Sequence, residues 1–232
     1  MNNTEIIDLK GDCSNSSLSN YPLALEGATG VFINNMVILC GGSKSASLED
    51  LTDECYKLSK GNTFDFLCSM HDNRATASAI STNGKMWVTG GWSLVGLTRL
   101  KTTEVIHPQN SASNSTIPIN INLPEAITGH VIIGLNNARS LLIGGNTLEE
   151  RYSNKTYFIN HMTHNWTRGP DLKKGRHQHT AGVIKDHKTA KKYIVVVGGF
   201  GDDGRLDSTE INYNEGNGWE IGICFIKHFC NI

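Results

Sequence analysis

Gly199-Phe200-Gly201-Asp202-Asp203-Gly204 has the glycine spacing of a dinucleotide-phosphate loop and follows the apolar run Tyr193–Val197. Such a loop must open a helix whose N-terminal amides face the pyrophosphate. Arg205–Tyr213 reads instead as a polar turn and a strand, so the match is set aside and no cofactor is assigned. His177 and His179, two apart, face the same way on a strand and could share a metal. No carboxylate or third histidine at ligand spacing accompanies them, so His179 is expected to pack at a junction. His161 and His164 lie in a turn beside Trp166 and are expected to be solvated. Asp202, Asp203 and Asp207 lack the alternating spacing of a calcium loop and read as a charged turn. No Gly-x-Ser-x-Gly elbow and no Cys-x-x-Cys is present. The expectation is a protein with no catalytic residue, no metal and no cofactor.

Six cysteines, at 13, 40, 55, 68, 224 and 230, and five Asn-x-Ser/Thr acceptors, at Asn2, Asn15, Asn114, Asn154 and Asn165, lean toward an oxidising, secreted setting. Against it, the N-terminus has no basic segment followed by an apolar core, and buried free thiols in a cytoplasmic protein are the alternative. Cys40 ends one predicted strand and Cys55 begins its neighbour, so these two are the candidate disulfide. Cys13 and Cys68 fall on outermost strands of consecutive units, and Cys224 and Cys230 lie together in the tail.

The 232 residues are 38% hydrophobic and 19% charged, enough for a folded core. A net charge of −1 excludes the electrostatic footprint of a general nucleic-acid binder, and the densest basic stretch, Asp186–Lys192, reads as a solvated turn. No apolar run is long enough for a membrane-spanning helix.

Twenty-four glycines against five prolines point to many tight turns. Four apolar runs each end in a glycine pair: Gly41-Gly42, Gly90-Gly91, Gly144-Gly145 and Gly198-Gly199, spaced by 49, 54 and 54 residues. An alternating segment follows each pair by about twelve to fifteen residues. These segments contain Tyr56, Val105, Tyr157 and Ile211. A fourth segment carries Phe64 and Phe66, then Ile117 and Ile119, then Trp166, then Trp219, and its aromatics are expected to cover the outer core. A small/apolar segment precedes each run, giving four strands per unit, and no twelve-residue stretch has a helical period.

The chain therefore resembles a kelch-repeat β-propeller. The strongest stretch is Trp166, Gly169-Pro170, Leu172, Arg176 and His179, similar to the family's run joining one blade to the next, and Arg74 occupies the equivalent junction before the second unit's first strand. The first and third units lack this arginine and read as degenerate repeats. Thr4-Glu5-Ile6 matches Thr103-Glu104-Val105 and Thr209-Glu210-Ile211, so the N-terminus reads as half a blade. The expected fold is all-β, a kelch-type β-propeller of four complete four-stranded blades plus an N-terminal half blade. The boundaries are 1–22 (partial blade), 23–70, 71–122, 123–172 and 173–223 (four blades), and 224–232 (tail). Two readings stay open: a piece of a larger, six-bladed ring, or a small irregular propeller whose tail fills the gap.

The resemblance implies a non-catalytic protein that binds a protein or peptide through rim loops, here Ser43–Asp53, Trp92–Lys101, Asn146–Ser153 and Phe200–Asp207. Candidate rim contacts are Trp92, Phe200, Asp202 and Asp203; Trp92 and Phe200, which directly follow glycine pairs, are open to packing against a neighbouring blade as well. Candidate glycosylation sites are Asn15, Asn114, Asn154 and Asn165. The alternative is the substrate-recognition propeller of a cullin-linked ubiquitin-ligase adaptor or another intracellular kelch protein. Copper oxidases share the fold, but their site needs a tyrosine–cysteine pair and converging histidines that four units do not assemble.

Overall fold

The computed structural model describes residues 19–46, 48–59, 62–108, 116–119, 121–186, 191–213 and 218–222. Most of the expected half blade, the tail, Cys13, Cys224, Cys230, Asn15 and Asn114 lie outside the described residues.

Four antiparallel four-stranded sheets follow one another along the chain. The first is β1 (Thr29–Ile33), β2 (Met36–Cys40), β3 (Glu54–Leu58) and β4 (Phe64–Ser69). The second begins with β5 (Ser78–Thr82) and β6 (Lys85–Thr89). A short ribbon, β7 (Trp92–Ser93) with β8 (Thr98–Arg99), then leads to β9 (Thr103–Ile106) and β10 (Thr116–Ile119). Next come β11 (Ile127–Thr128), β12 (Val131–Asn136), β13 (Arg139–Ile143), β14 (Asn146–Thr147), β15 (Thr156–Asn160) and β16 (Trp166–Arg168). In this third unit the sheet is β12-β13-β15-β16, and β11 pairs with β14. The fourth sheet is β17 (Thr180–Lys185), β18 (Lys192–Val197), β21 (Thr209–Asn212) and β22 (Glu220–Gly222), with the ribbon β19 (Phe200–Gly201) and β20 (Gly204–Arg205) inserted after β18.

Alternation along the strands buries a different set on each face. Ile38, Cys40, Cys55 and Cys68 of the first sheet meet Met86, Val88 and Ile106 of the second. Trp87 and Val105, on the second sheet's other face, meet Ile132, Leu142 and Ile159. Leu141, Ile143 and Phe158 then meet Ile194, Val196 and Trp219. Three cores thus separate four sheets, and the inner strands neighbour one another in the order β1, β5, β12, β17. Residues of opposite parity on the first and last sheets, Phe32, Phe66, Val197 and Tyr213, are exposed.

Phe66 therefore departs from the expected role of a fourth-strand aromatic. A bulge sets Tyr56 opposite Phe66 and Cys55 opposite Cys68, so Leu67 and Cys68 enter the core and Phe66 faces away, 56% exposed. Trp219 fulfils the role from just before β22: it is buried, and its indole Nε1 donates to the Pro170 carbonyl at 2.9 Å. The segments after the second, third and fourth glycine pairs, expected as plain loops, contain paired strand residues.

All eight paired glycines have positive φ, from 54° to 116°. The reason is clearest at Gly144-Gly145. A Cβ on Gly144 would sit 2.6 Å from the Arg176 carbonyl oxygen and 2.9 Å from His179, and one on Gly145 would meet Ile127 at 2.7 Å. The pair is where the next blade's entry segment passes against the end of a second strand.

Backbone hydrogen bonds stitch the blades together at that level. Gly42, Gly91 and Gly145 donate to the carbonyls of Arg74, Ile127 and Arg176, each at 2.8 Å. Closer to the axis, Thr76 donates to Gly27 (2.8 Å), Gly129 to Thr76 (2.9 Å) and Gln178 to Gly129 (2.7 Å). Those four residues all adopt left-handed φ, between 52° and 68°, including the non-glycines Thr76 and Gln178.

Candidate functional site

The ribbons of the second and fourth blades and the entry segments lie at the same end of the sheets, because two isolated bridges join one to the other: Ala75 with Trp92 and His177 with Phe200. Between the third and fourth blades this produces a layered side-chain stack. His177 lies between Tyr152, at 5.2 Å between ring centroids, and Phe200, at 5.7 Å, with both pairs nearly parallel. Arg151 covers the Tyr152 ring at 5.3 Å and Arg205 the Phe200 ring at 5.9 Å. All three rings are half-buried and both arginines exposed. Burial and the Arg151 charge hold the His177 imidazole below its usual range, so it stacks as a neutral ring at physiological pH.

Beside the stack is a polar cavity of about 400 Å³ whose lining includes Glu150, Tyr152, Lys173, Lys174, Asp202 and Asp203. Lys174 reaches Asp203 at 3.7 Å. Between the second and third blades the same level holds Trp92, with Arg99 at 5.9 Å over its ring and Arg99 Nε donating to Asn146 Oδ1 at 2.8 Å.

Beneath the rim, two buried ion pairs fix the entry segments. Arg176 donates to Glu210 Oε1 (2.7 Å), Gly198 O (2.8 Å) and Ser208 O (3.2 Å). Glu210 in turn accepts the Lys173 and Lys174 amides at 2.6 and 3.0 Å. Arg74 and Glu104 repeat the device: Arg74 bonds to Glu104 and to Gly90 O (2.9 Å), and Glu104 accepts the His71 and Asp72 amides. In blades one and three both partners change together. Tyr56 and Tyr157 take the positions of Glu104 and Glu210, paired with Leu39 and Leu142 as the glutamates are with Val88 and Val196. Leu25 and Ile127 take those of the arginines. Tyr157 donates to Glu125 at 2.8 Å, and Tyr56 to Glu54 at 3.1 Å.

At the axis, a cavity of about 250 Å³ is lined by Glu26, Thr76, Gln178, His130 and His179 among others. Thr89 Oγ1 spends its proton on the Ser78 carbonyl (3.0 Å), so His130 Nε2, 2.9 Å away, must carry the hydrogen between them. Its Nδ1 is left a buried acceptor without a partner. Burial pushes His130 down to about 3. His179 also falls to about 3, through burial first and then the Arg176 charge and the neighbouring His130 and His177, opposed by the Ile143 backbone. Ile143 stands where Thr89 serves His130, which is why His179 has no hydroxyl to bond.

No protein-family model matches the chain. It is 36% identical over 99 residues to Kelch-like protein 41a of Danio rerio, a match covering 43% of this chain and 15% of that protein's length. It superimposes on the solved structure of YjhT with a TM-score of 0.71 and 16% identity, covering 90% of this chain and 68% of that one. Sheets in radial order, glycine pairs at each second strand and these likenesses agree. The fold is a kelch-type β-propeller.

In this kelch propeller the signature residues fall into distinct roles. The first three glycine pairs and the Arg74 and Arg176 carbonyls serve blade-to-blade contacts; Tyr56 packs edge-on against Tyr21 and Phe66; Trp166 lies half-buried against the second core. Of the rim candidates, Trp92 and Phe200 are half-buried beneath arginines, while Asp202 and Asp203 are exposed. Tyr152, Arg151 and Arg205 were not singled out in the sequence, where no local motif marks them. His161 corrects the solvated-turn expectation: it is buried, bonds to Ser140 Oγ at 2.8 Å and meets Trp87 edge-on at 4.8 Å. His177 and His179 do not converge, since His177 is taken up by the stack and His179 by the axis. Among the described residues no cluster of three metal-ligating side chains occurs, and no helix is long and apolar enough to cross a membrane.

Cys40 and Cys55 form a disulfide with an S–S distance of 2.12 Å. Of the two described acceptor asparagines, Asn165 is exposed before β16, whereas half-buried Asn154 donates its side-chain amide to the Leu172 carbonyl.

Proposed function

We propose that this kelch propeller is a non-catalytic binding protein that recognises a protein or peptide through the rim formed by its ribbons and entry segments. The observation that carries the reading is the Arg151–Tyr152–His177–Phe200–Arg205 stack. Aromatic and arginine side chains supply large contact areas at little conformational cost, and they are the types in which binding energy concentrates at interfaces. Stacking holds them in place before a partner arrives, which lowers the entropy lost on association. The adjoining cavity offers charges of both signs for orienting that partner. Phe200→Ala and Tyr152→Ala should each weaken capture of a binding partner by about fivefold or more. The test is affinity capture with quantitative mass spectrometry, comparing wild-type and variant proteins of equal circular dichroism. The same proteins recovered at the same levels by all three would refute a rim-stack interface.

The Cys40–Cys55 disulfide and the exposed Asn165 acceptor support a secreted setting, in which Asn165 carries glycan. A glycosidase mobility shift on protein from a secretory host, lost in Asn165→Gln, tests it. The likeness to Kelch-like protein 41a favours a second reading, an intracellular substrate-recognition propeller of the ubiquitin-ligase-adaptor kind. Fully reduced cysteines and absence of glycan on the native protein would select that reading over the first.

A further inference from the structure

Cys40, Cys55 and Cys68 stand in one row across β2, β3 and β4. Cys40 is opposite Cys55, and Cys55 is opposite Cys68. All three sulfurs belong to the first core, on the face turned toward the second blade. Cys40 and Cys55 are only 4.1 Å apart at Cα, the spacing of the narrow, non-hydrogen-bonded pair of an antiparallel ladder. Ladder alternation turns the Cys55 amide and carbonyl toward β4, making Cys55 and Cys68 the wide pair, about 5.5 Å apart at Cα. That is a bridging separation too. Cys68 is a buried free thiol, and Met86 Sδ lies 3.9 Å from Cys40 Sγ in hydrogen-bonding position.

We propose that Cys55 is a shared partner, and that the chain interconverts a Cys40–Cys55 and a Cys55–Cys68 disulfide by internal thiol–disulfide exchange. The Cys68 thiol gives up its proton and its sulfur attacks Cys55 Sγ. The Cys55–Cys40 bond breaks, and Cys40 leaves as a thiolate that takes up a proton, so no net oxidation occurs. The released Cys40 S–H has the Met86 thioether as its acceptor. The exchange frees the end of β2, next to Gly41-Gly42 and the loop that starts at Ser43. It fastens β3 to the end of β4, which leads through Met70 and His71 to Arg74. The device thus selects which side of the first blade's rim is tethered. Burial, with Glu104 across the core, raises the Cys68 thiol to about 11, and the Arg74 guanidinium is paired with that same carboxylate. The exchange is therefore slow near neutrality and faster as pH rises.

The test uses the full chain, incubated without reductant or oxidant at pH 7, 8 and 9, quenched in acid, blocked with a maleimide and mapped by non-reducing mass spectrometry. Circular dichroism is recorded at each pH. The expected result is a Cys55–Cys68 crosslinked peptide accompanied by blocked Cys40, forming about tenfold faster per pH unit. Cys68 as the only blocked member of the three at every pH overturns the proposal, as do links from Cys68 to Cys13, Cys224 or Cys230 in place of Cys55. As an independent arm, Cys40→Ser exposed to oxidised glutathione should form Cys55–Cys68. Free Cys55 and Cys68 in that variant, with wild-type circular dichroism, overturn it equally.

Discussion

Arg176→Met removes the cation from a pair whose side chains are both fully buried. Glu210 keeps the Lys173 and Lys174 amides as donors, but its charge loses its counterion, and Gly198 O and Ser208 O lose the guanidinium N–H donor they shared. Removing one member of a buried pair costs about 3–5 kcal/mol. The two amide bonds to Glu210 place the expected cost toward the lower end, about 3 kcal/mol. Blades one and three supply a built-in control, since they replace arginine with Leu25 or Ile127 and glutamate with Tyr56 or Tyr157. Arg176→Ile with Glu210→Tyr imports the third blade's solution into the fourth, and should recover about half or more of the single-variant loss. The assay is urea unfolding followed by tryptophan fluorescence, to which buried Trp219 in the same core contributes. A cost below about 1 kcal/mol for Arg176→Met at unchanged m-value would refute the reasoning, as would a double variant whose loss is the sum of the two singles.

Gly145→Ala should destabilise strongly, by about 3 kcal/mol or more, because φ is 116° and the new Cβ meets Ile127 and His130 within 2.8 Å. Gly84→Ala, with φ of 71° and open space around the Cβ, should cost only about 1 kcal/mol in the same urea experiment. His130 is held at about 3 when folded against about 6.5 unfolded, so the unfolded chain binds more protons between those values. Its contribution is complete above about pH 6.5 and declines as pH falls toward about 3, and His130→Ala should reduce the slope of stability against pH in that window by about 1.4 kcal/mol per unit. An unchanged slope at pH 4–6 contradicts a buried neutral imidazole.

What the sequence disclosed depended on whether a constraint is local. Glycine pairs after apolar runs are local, since positive φ and the absence of a Cβ are required at the same few residues in every blade. The second strands were equally legible, because both faces of an inner blade demand apolar side chains at consecutive positions. Arg74 and Arg176 were visible as junction residues. Their carboxylates, thirty and more residues onward, became evident only when the register put Glu104 and Glu210 beneath them. The same register shows that units one and three are not simply degraded, because tyrosine and an aliphatic residue replace both partners at once. His161 was misjudged because a Met-Thr-His turn looks solvated, while the burial comes from Trp87 in the preceding blade. The rim stack drew Tyr152, His177 and Phe200 from segments about twenty-five residues apart, and no spacing rule links them. Phe66 was misplaced by the single extra residue of the β4 bulge, which a pattern of period two cannot reveal.

The axial links from Gln178 to Gly129, Thr76 and Gly27 all run one way, the later unit giving the proton and the earlier one receiving it. Such an arrangement is a polar tread that any whole unit can join without reversing a bond. Duplication or excision of one complete repeat leaves every remaining link with a correctly oriented neighbour, whereas a cut within a repeat does not. Gene-level growth by integral units is thereby written into the hydrogen-bond direction around the axis.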